Sequence, residues 1–369
     1  MVQKNKHTIW LAVGLVILGI LMMVFVTHNQ TFYRQPLAQV ITVNNGAKQK
    51  QKDNFDNVDH LTNQTLEVKL LNGKFKNREF KLTNQFSDSG GLDQQYRKGD
   101  QIFVNLQQNK HHQLSGTIKD YKRDDVLAFL FWLVLALLLL IMRKQGSLAF
   151  LSVLLNGVVF FIAIQIDLSL QGNHIMLIFG VLSFVFAIMT LLLVLGPTRQ
   201  MLATLGATIL GTSVAMLISL AVFSWTKERG MYYESMQYVT QVPRPLFLAE
   251  TLLGSLGAVM DESTDIVATL FELKSLDPDI SSTKLFLSGR KVGQTIMGPL
   301  VNVLFMIFMA DTFTSTLLYI KNGNSWGYTF AMNMSLGTVQ SLISGIGIVL
   351  AIPVASGLAG LLLGKRVKA

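Results

Sequence analysis

From Val126 onward the chain is built of apolar runs close to membrane length, near residues 126–142, 147–165, 175–195, 201–224, 246–270, 292–310 and 334–363. About 20 apolar residues, rising about 1.5 Å each as a helix, cross a hydrocarbon core of about 30 Å. Lipid offers no hydrogen bonds to a bare backbone, so runs of this kind fold as helices that pair their own N–H and C=O groups. An eighth run, Ile9–Val26, precedes them. The expectation is an α-helical multi-pass membrane bundle of about eight spans. Composition agrees, since 14% of the residues are charged, against about 25% in soluble domains.

The chain divides into three parts. Ile9–Val26 follows Lys4 and Lys6, and no A-x-A-like site comes after it. It is therefore read as a retained first span (residues 1–27) rather than a cleaved signal. Residues 28–125 are polar and predict an extracytoplasmic β-rich domain. Alternating stretches place strands at Leu66–Leu71, Arg78–Leu82, Gln101–Leu106 and Gly116–Tyr121. Turns are expected at Asn72-Gly73, Ser89-Gly90-Gly91 and Lys98-Gly99-Asp100. Residues 44–64, rich in Gln, Asn and Lys, read as a loose loop. The size suits an OB-like barrel. It lacks a ladder of aromatics for a polymer ligand, which favours a scaffold or docking role. Residues 126–369 form the bundle.

The net charge of +9 would suit nucleic acid, but the basic residues are scattered beside apolar runs and serve better as topology signals. Lys4, Lys6, Arg143, Lys144, Arg199, Lys274, Lys284, Arg290, Lys291, Lys365, Arg366 and Lys368 fall on one side, which is then cytoplasmic. Both termini lie inside, and residues 28–125, Gln165–His174, Thr226–Pro245 and the region near Asp311–Tyr328 lie outside. The expected location is a bacterial plasma membrane, and no nucleic-acid partner is expected. The chain has no cysteine, which excludes disulfides, thiolate catalysis and Cys-ligated zinc.

The chemistry concentrates in the run 246–270. Asp261 and Asp265 stand four residues apart, and residues i and i+4 share a helix face. Gly254, Gly257, Ala258 and Glu272 lie on the same stripe, while Leu252, Leu253, Leu256, Val259, Ile266 and Val267 lie opposite. A carboxylate near the bilayer centre costs about 2.5–3.5 kcal/mol on insertion scales. Such a group is kept when it carries a proton or a cation. Counted from Leu246, Asp261 lies about 22 Å deep and Asp265 about 28 Å. Asp265 therefore also fits the cytoplasmic interface, where Lys274 or Arg290 would pair with it.

The expected seam partner is the next run, where Thr295, Gly298, Pro299 and Asn302 share a stripe. The glycines allow close helix approach, and Pro299 frees a backbone carbonyl. Arg290 and Lys291 read as a cytoplasmic basic loop, an anchor or a headgroup contact. Gly337-x3-Ser341-x3-Gly345 is a packing face. Asp261, Glu262 and Asp265 offer oxygens of the kind a hard cation takes. No cofactor or resident metal is expected, because His7, His28, His60, His111, His112 and His174 all lie outside the runs. No H-E-x-x-H, no G-x-x-x-x-G-K-[ST] and no G-x-G-D is present, so protease and ATPase chemistry lack their motifs. The chain is not read as an enzyme.

Gly254-x-x-Gly257-Ala258-Val259-Met260-Asp261, Leu287-Ser288-Gly289-Arg290-Lys291-Val292-Gly293 through Met297-Gly298 with Asn302, and Gly345-Ile346-Gly347 through Pro353 resemble the YibE/F family of bacterial polytopic membrane proteins. Gly73-Lys74-Phe75-Lys76 and Tyr96-Arg97-Lys98-Gly99-Asp100 resemble its outer domain. The resemblance implies fold and topology more than an activity. It supports Asp261, whereas Glu262 and Asp265 stand where the family pattern has apolar or small residues. It also implies the lipid bilayer as a partner, together with a second related membrane subunit or another copy of the chain. An outer domain between a first span and a bundle is similar, at the level of fold, to the SecD/SecF branch of proton-driven exporters. The expected function is a secondary transporter or export component coupled to protons or another cation through Asp261. The alternative is an accessory or assembly factor for envelope proteins that docks through its outer domain.

Overall fold

The fold is described from a computed structural model covering residues 2–54, 56–91, 93–108, 114–236 and 242–364. His111, His112, Lys365, Arg366 and Lys368 lie outside the described residues. The chain forms two compact units, Met1–Ser147 and Leu148–Ala369.

The first unit holds α1 (Val2–Thr27), five strands and the start of α2 (Asp124–Ser169). The strands are β1 (Leu37–Lys52), β2 (Val58–Leu70), β3 (Glu79–Ser87), β4 (Gln101–Gln108) and β5 (Leu114–Tyr121). They form one antiparallel sheet in the order β3-β2-β1-β4-β5. Among the described residues no ladder joins β3 to β5, so the sheet is open rather than the closed barrel expected. Leu37, Val40, Leu66, Val68, Leu70, Leu82, Ile102 and Val104 alternate inward and are buried almost completely, as a one-sided sheet requires. Gly73, Gly90 and Gly99 take positive φ at 75°, 61° and 98°, where glycine turns the chain without strain.

Residues 44–64 are not a loop. Asn45 pairs with Gln64 and Lys52 with Val58, so this stretch continues β1 and β2 as a ribbon, with β3 paired alongside β2 over Leu61–Gln64. Much of this ribbon is exposed, so no apolar alternation marks it in the sequence.

Trp132 binds the first arm of α2 to α1. Its indole N–H donates to the Leu15 carbonyl at 2.9 Å, and its ring occupies the space a Cβ on Gly19 would need. Where sheet meets helices, the buried Lys122 ammonium lies 2.7 Å from Asp124 and donates to the Val26 carbonyl at 2.9 Å. Asn29 and the Tyr33 hydroxyl also donate to Asp124. Burial, then the Asp124 contact, pushes the Tyr33 phenol above its ordinary value.

The helical run of α2 breaks at Arg143 (φ 51°, ψ −121°), between the two runs expected there. The second unit continues with α3 (Ile175–Leu195), α4 (Arg199–Thr226), α5 (Pro243–Leu276), α6 (Ser282–Lys321), α7 (Trp326–Thr329) and α8 (Ser335–Gly364). A π-helical turn, Phe330–Met334, joins the last two. Among the described residues, five helices are long and apolar enough to cross a membrane: α2, α3, α4, α6 and the run Trp326–Leu363. At 34 residues α5 has the length, but Glu250, Asp261, Glu262 and Asp265 lower its hydropathy.

Helices α5 and α8 touch each other and share α4 and α6 as neighbours, while α3 packs on α4 and α5. Glycines set these approaches. Val259 plugs between Gly211 and Gly347, with its methyls 3.0 and 2.7 Å from where their Cβ atoms would stand. Gly289 and Gly293 hold α6 against Ser356 and Ile352 of α8. Arg290 and Lys291 therefore belong to a helix rather than a loop. The Ser281 side chain caps α6 at the Lys284 N–H, and nothing in the sequence breaks it before the membrane run starts.

Candidate functional site

Asp261 and its neighbour Glu262 project about 100° apart on α5, as consecutive helical residues must. Asp261 is exposed and lines a cleft of about 470 Å³ between α3, α5 and α6. Gly254, Gly257 and Ala258 form the α5 wall, Thr190 and Leu191 come from α3, and Leu300 and Leu304 from α6. A Cβ on Gly257 would meet nothing within 4 Å, so its missing side chain is open volume in the cleft rather than a helix contact.

Asp265, one turn further on, is exposed outside this lining, as is Glu272. Among the described residues no ion pair links Asp261, Asp265 or Glu272 to a base. Lys274 instead donates to the Ile280 carbonyl at 3.0 Å.

The expected seam is divided. Gly298 and Asn302 line a separate groove of about 630 Å³ between α6 and α8, with Ser341 and Gly345 opposite. Thr295 is exposed and donates to the Lys291 carbonyl at 3.1 Å. Pro299 is exposed inside a continuous helix. Of this stripe Gly298 and Asn302 line the groove toward α8, Thr295 and Pro299 line neither cavity, and it is Leu300 and Leu304 that line the Asp261 cleft.

Glu262 is the residue the acidic-stripe reading missed. It is 1% exposed, and among the described residues neither carboxyl oxygen has a hydrogen-bond partner. It lies on the face of Val259 and Ile266, which packs into the core. The Thr212 and Ser263 hydroxyls are likewise buried without partners. Other core hydroxyls return to the carbonyl one turn back, as Thr208, Thr251 and Ser356 do at 2.7–2.8 Å. That is the usual way a membrane helix satisfies them. The signal in the sequence was the spacing, since 255, 259, 262 and 266 form the buried stripe. Because Glu262 points inward and Asp261 outward, the three carboxylates do not converge. Among the described residues no three His, Cys, Asp or Glu side chains are placed to hold a metal ion.

The comparisons with known proteins bear on the same stretch. The YibE/F-like protein family matches residues 130–365, and the YibE/F family N-terminal domain matches residues 31–121. The chain belongs to the YibE/F family. The two matches cover the sheet and the bundle, including Asp261 and Glu262 of α5. No curated protein and no solved structure matches the chain.

Proposed function

We propose that this YibE/F-family chain is a secondary transporter or export component of a plasma membrane, coupled to protons or another cation through Asp261. The observation that carries the reading is the cleft: a carboxylate stands on the wall of a cavity of about 470 Å³, among apolar helices, where glycines keep the space open. An unneutralised carboxylate is costly at that depth, and reversible binding of a cation offsets the cost. Glu262 stores a second proton-accepting group in the core. Its charged form would cost several kcal/mol unpaired, so loading and unloading it favours different packings of α4, α5 and α8.

Eight spans fit this reading: α1, the two arms of α2 on either side of Arg143, α3 to α6, and α7 with α8. The basic residues then put both termini in the cytoplasm and residues 28–125 outside.

The test is a deletion strain screened against a panel of solutes and toxins, complemented with wild type or Asp261→Asn at matched membrane abundance. Restoration by wild type alone supports coupling through Asp261. Restoration by both sinks it.

The exposed ribbon of β1 and β2 favours a second reading, in which the outer domain docks an envelope protein and the bundle is its anchor. Shortening the ribbon between Lys48 and Leu61 would then abolish complementation while Asp261→Asn retains it.

A further inference from the structure

A second cavity, of about 490 Å³, lies along the first turns of α5, against α6, the π-helical turn and the start of α8. Its walls are of two kinds. Glu250 and Asp311 supply carboxylates, and Phe247, Phe308, Met236 and Leu336 supply apolar and aromatic surface. Among the described residues no Lys, Arg or His lines it.

The polar residues around the carboxylates are held in place. Asn333, carried by the π-helical turn, accepts from the Ser315 hydroxyl at 2.9 Å and donates to the Thr316 hydroxyl at 2.7 Å. Its amide also reaches the Thr312 carbonyl at 3.3 Å. Gln340 lines the same cavity as Glu250. The Phe308 ring packs on Gly337, 2.1 Å from where a Cβ would stand, so that glycine admits the ring to the wall. Asp311 has no hydrogen bond or ion pair among the described residues. The chamber thus joins two carboxylates without a counter-charge to a preformed aromatic wall.

We propose that this chamber binds an organic cation, a protonated amine bearing an apolar body. The volume suits a small molecule, for which pockets of about 300–1,000 Å³ are usual, and far exceeds a bare ion. A hard metal ion would want six or more converging oxygens, yet the Asn333 amide and the Ser315 hydroxyl are spent on one another. An ammonium group pairs with Glu250 and Asp311, and its body lies against Phe247 and Phe308, where a cation also gains from the ring faces. An anion meets two carboxylates and is rejected.

The inference deepens the carrier reading and rests on it only for the step of transport. Glu250 and Asp261 lie on one stripe of α5, eleven residues or about 16 Å apart. Gly254 stands between them, 3.4 Å from the Gln340 amide nitrogen when given a Cβ. Gln340 lines the amine chamber and Gly254 lines the Asp261 cleft, so the two cavities meet across one glycine.

The experiment is calorimetric titration of the purified full-length protein in lipid nanodiscs, with empty nanodiscs subtracted. The probes are phenethylamine, 2-phenylethanol, phenylacetate and sodium chloride. The expected result is saturable binding of phenethylamine alone. Glu250→Gln and Asp311→Asn each weaken it by roughly tenfold, for the loss of one charge-assisted contact. Asp311→Asn, at an exposed position, keeps the test decisive if Glu250→Gln fails to accumulate. No saturable amine binding, equal binding of the alcohol, wild-type affinity in the Asp311→Asn variant, or a response to sodium in place of the amine would each overturn the proposal. Amine binding together with complementation by Asp261→Asn would leave the chamber standing and remove the coupling role of Asp261.

Discussion

Both units of the molecule bury a long polar side chain to the same depth, and they treat it in opposite ways. Gln64, in the sheet, and Glu262, in the bundle, are each 1% exposed. Gln64 donates to Asn45 and the Tyr96 carbonyl, both at 2.9 Å, and accepts from the Tyr96 N–H and Asn84 at 3.1 Å. Glu262 has no hydrogen-bond partner among the described residues. A satisfied buried amide fixes one structure, whereas an unsatisfied buried acid is held at a cost. On the proposed carrier reading, the difference separates a residue that specifies a fold from one kept for its proton-accepting group.

The largest effect should come from removing the satisfied group. Gln64→Leu strands the Tyr96 N–H and carbonyl and should cost the sheet about 3 kcal/mol, read by denaturant unfolding of the full-length protein. An unchanged midpoint would mean that these bonds do not order the sheet. Glu262→Leu should act in the opposite direction, raising stability by about 1–3 kcal/mol in a thermal melt while lowering function. Destabilisation there would show that the carboxyl is partnered and would remove the contrast.

Two glycines sharpen the comparison within the bundle. Gly347→Ala puts a methyl 2.7 Å from Val259 and should cost about 1–3 kcal/mol. Gly257→Ala meets nothing within 4 Å and should leave stability level or slightly improved while narrowing the Asp261 cleft. Equal melts for the two variants would contradict the assignment of one glycine to packing and the other to open space.

The sequence made much of this legible, for physical reasons that also mark where legibility stopped. The helices of the bundle were visible because lipid demands unbroken apolar runs, and Asp261 was visible because charge inside such a run is conspicuous. Glu262 was not, because reading the stripe from the acids placed it beside the acidic face, when its spacing from Val259 and Ile266 sets it in the core. The start of α6 was missed because a basic Gly289-Arg290-Lys291 looks like loop, although Gly289 is buried against Ser356. β1 was missed because its ribbon is wet on both faces and shows no period of two. The open sheet could not be read, since strand order follows from pairing and leaves no local mark.

Smaller effects follow in the titrations. Burial pushes the Tyr233 phenol up to about 12. A raised folded-state value favours the neutral form, so its contribution is complete below about pH 10 and is lost as pH rises through the folded value. Tyr233→Phe should flatten that part of the melting profile, and an unchanged profile would count against the burial. In the sheet, the Thr42 hydroxyl at 2.8 Å and then Lys81 hold Glu67 below the usual carboxylate range. Thr42→Val should return its titration, followed by NMR, toward the ordinary value, and an unmoved titration would assign the shift to Lys81.

The most direct measurement uses the absence of cysteine from the chain. Single Asp261→Cys and Glu262→Cys variants in membrane vesicles are treated with a small, water-soluble, charged methanethiosulfonate. Rapid modification is expected at 261, whose side chain faces the cleft, and none at 262. An unreactive 261, or equal rates at the two positions, would contradict the account of Asp261 as the water-accessible coupling carboxylate.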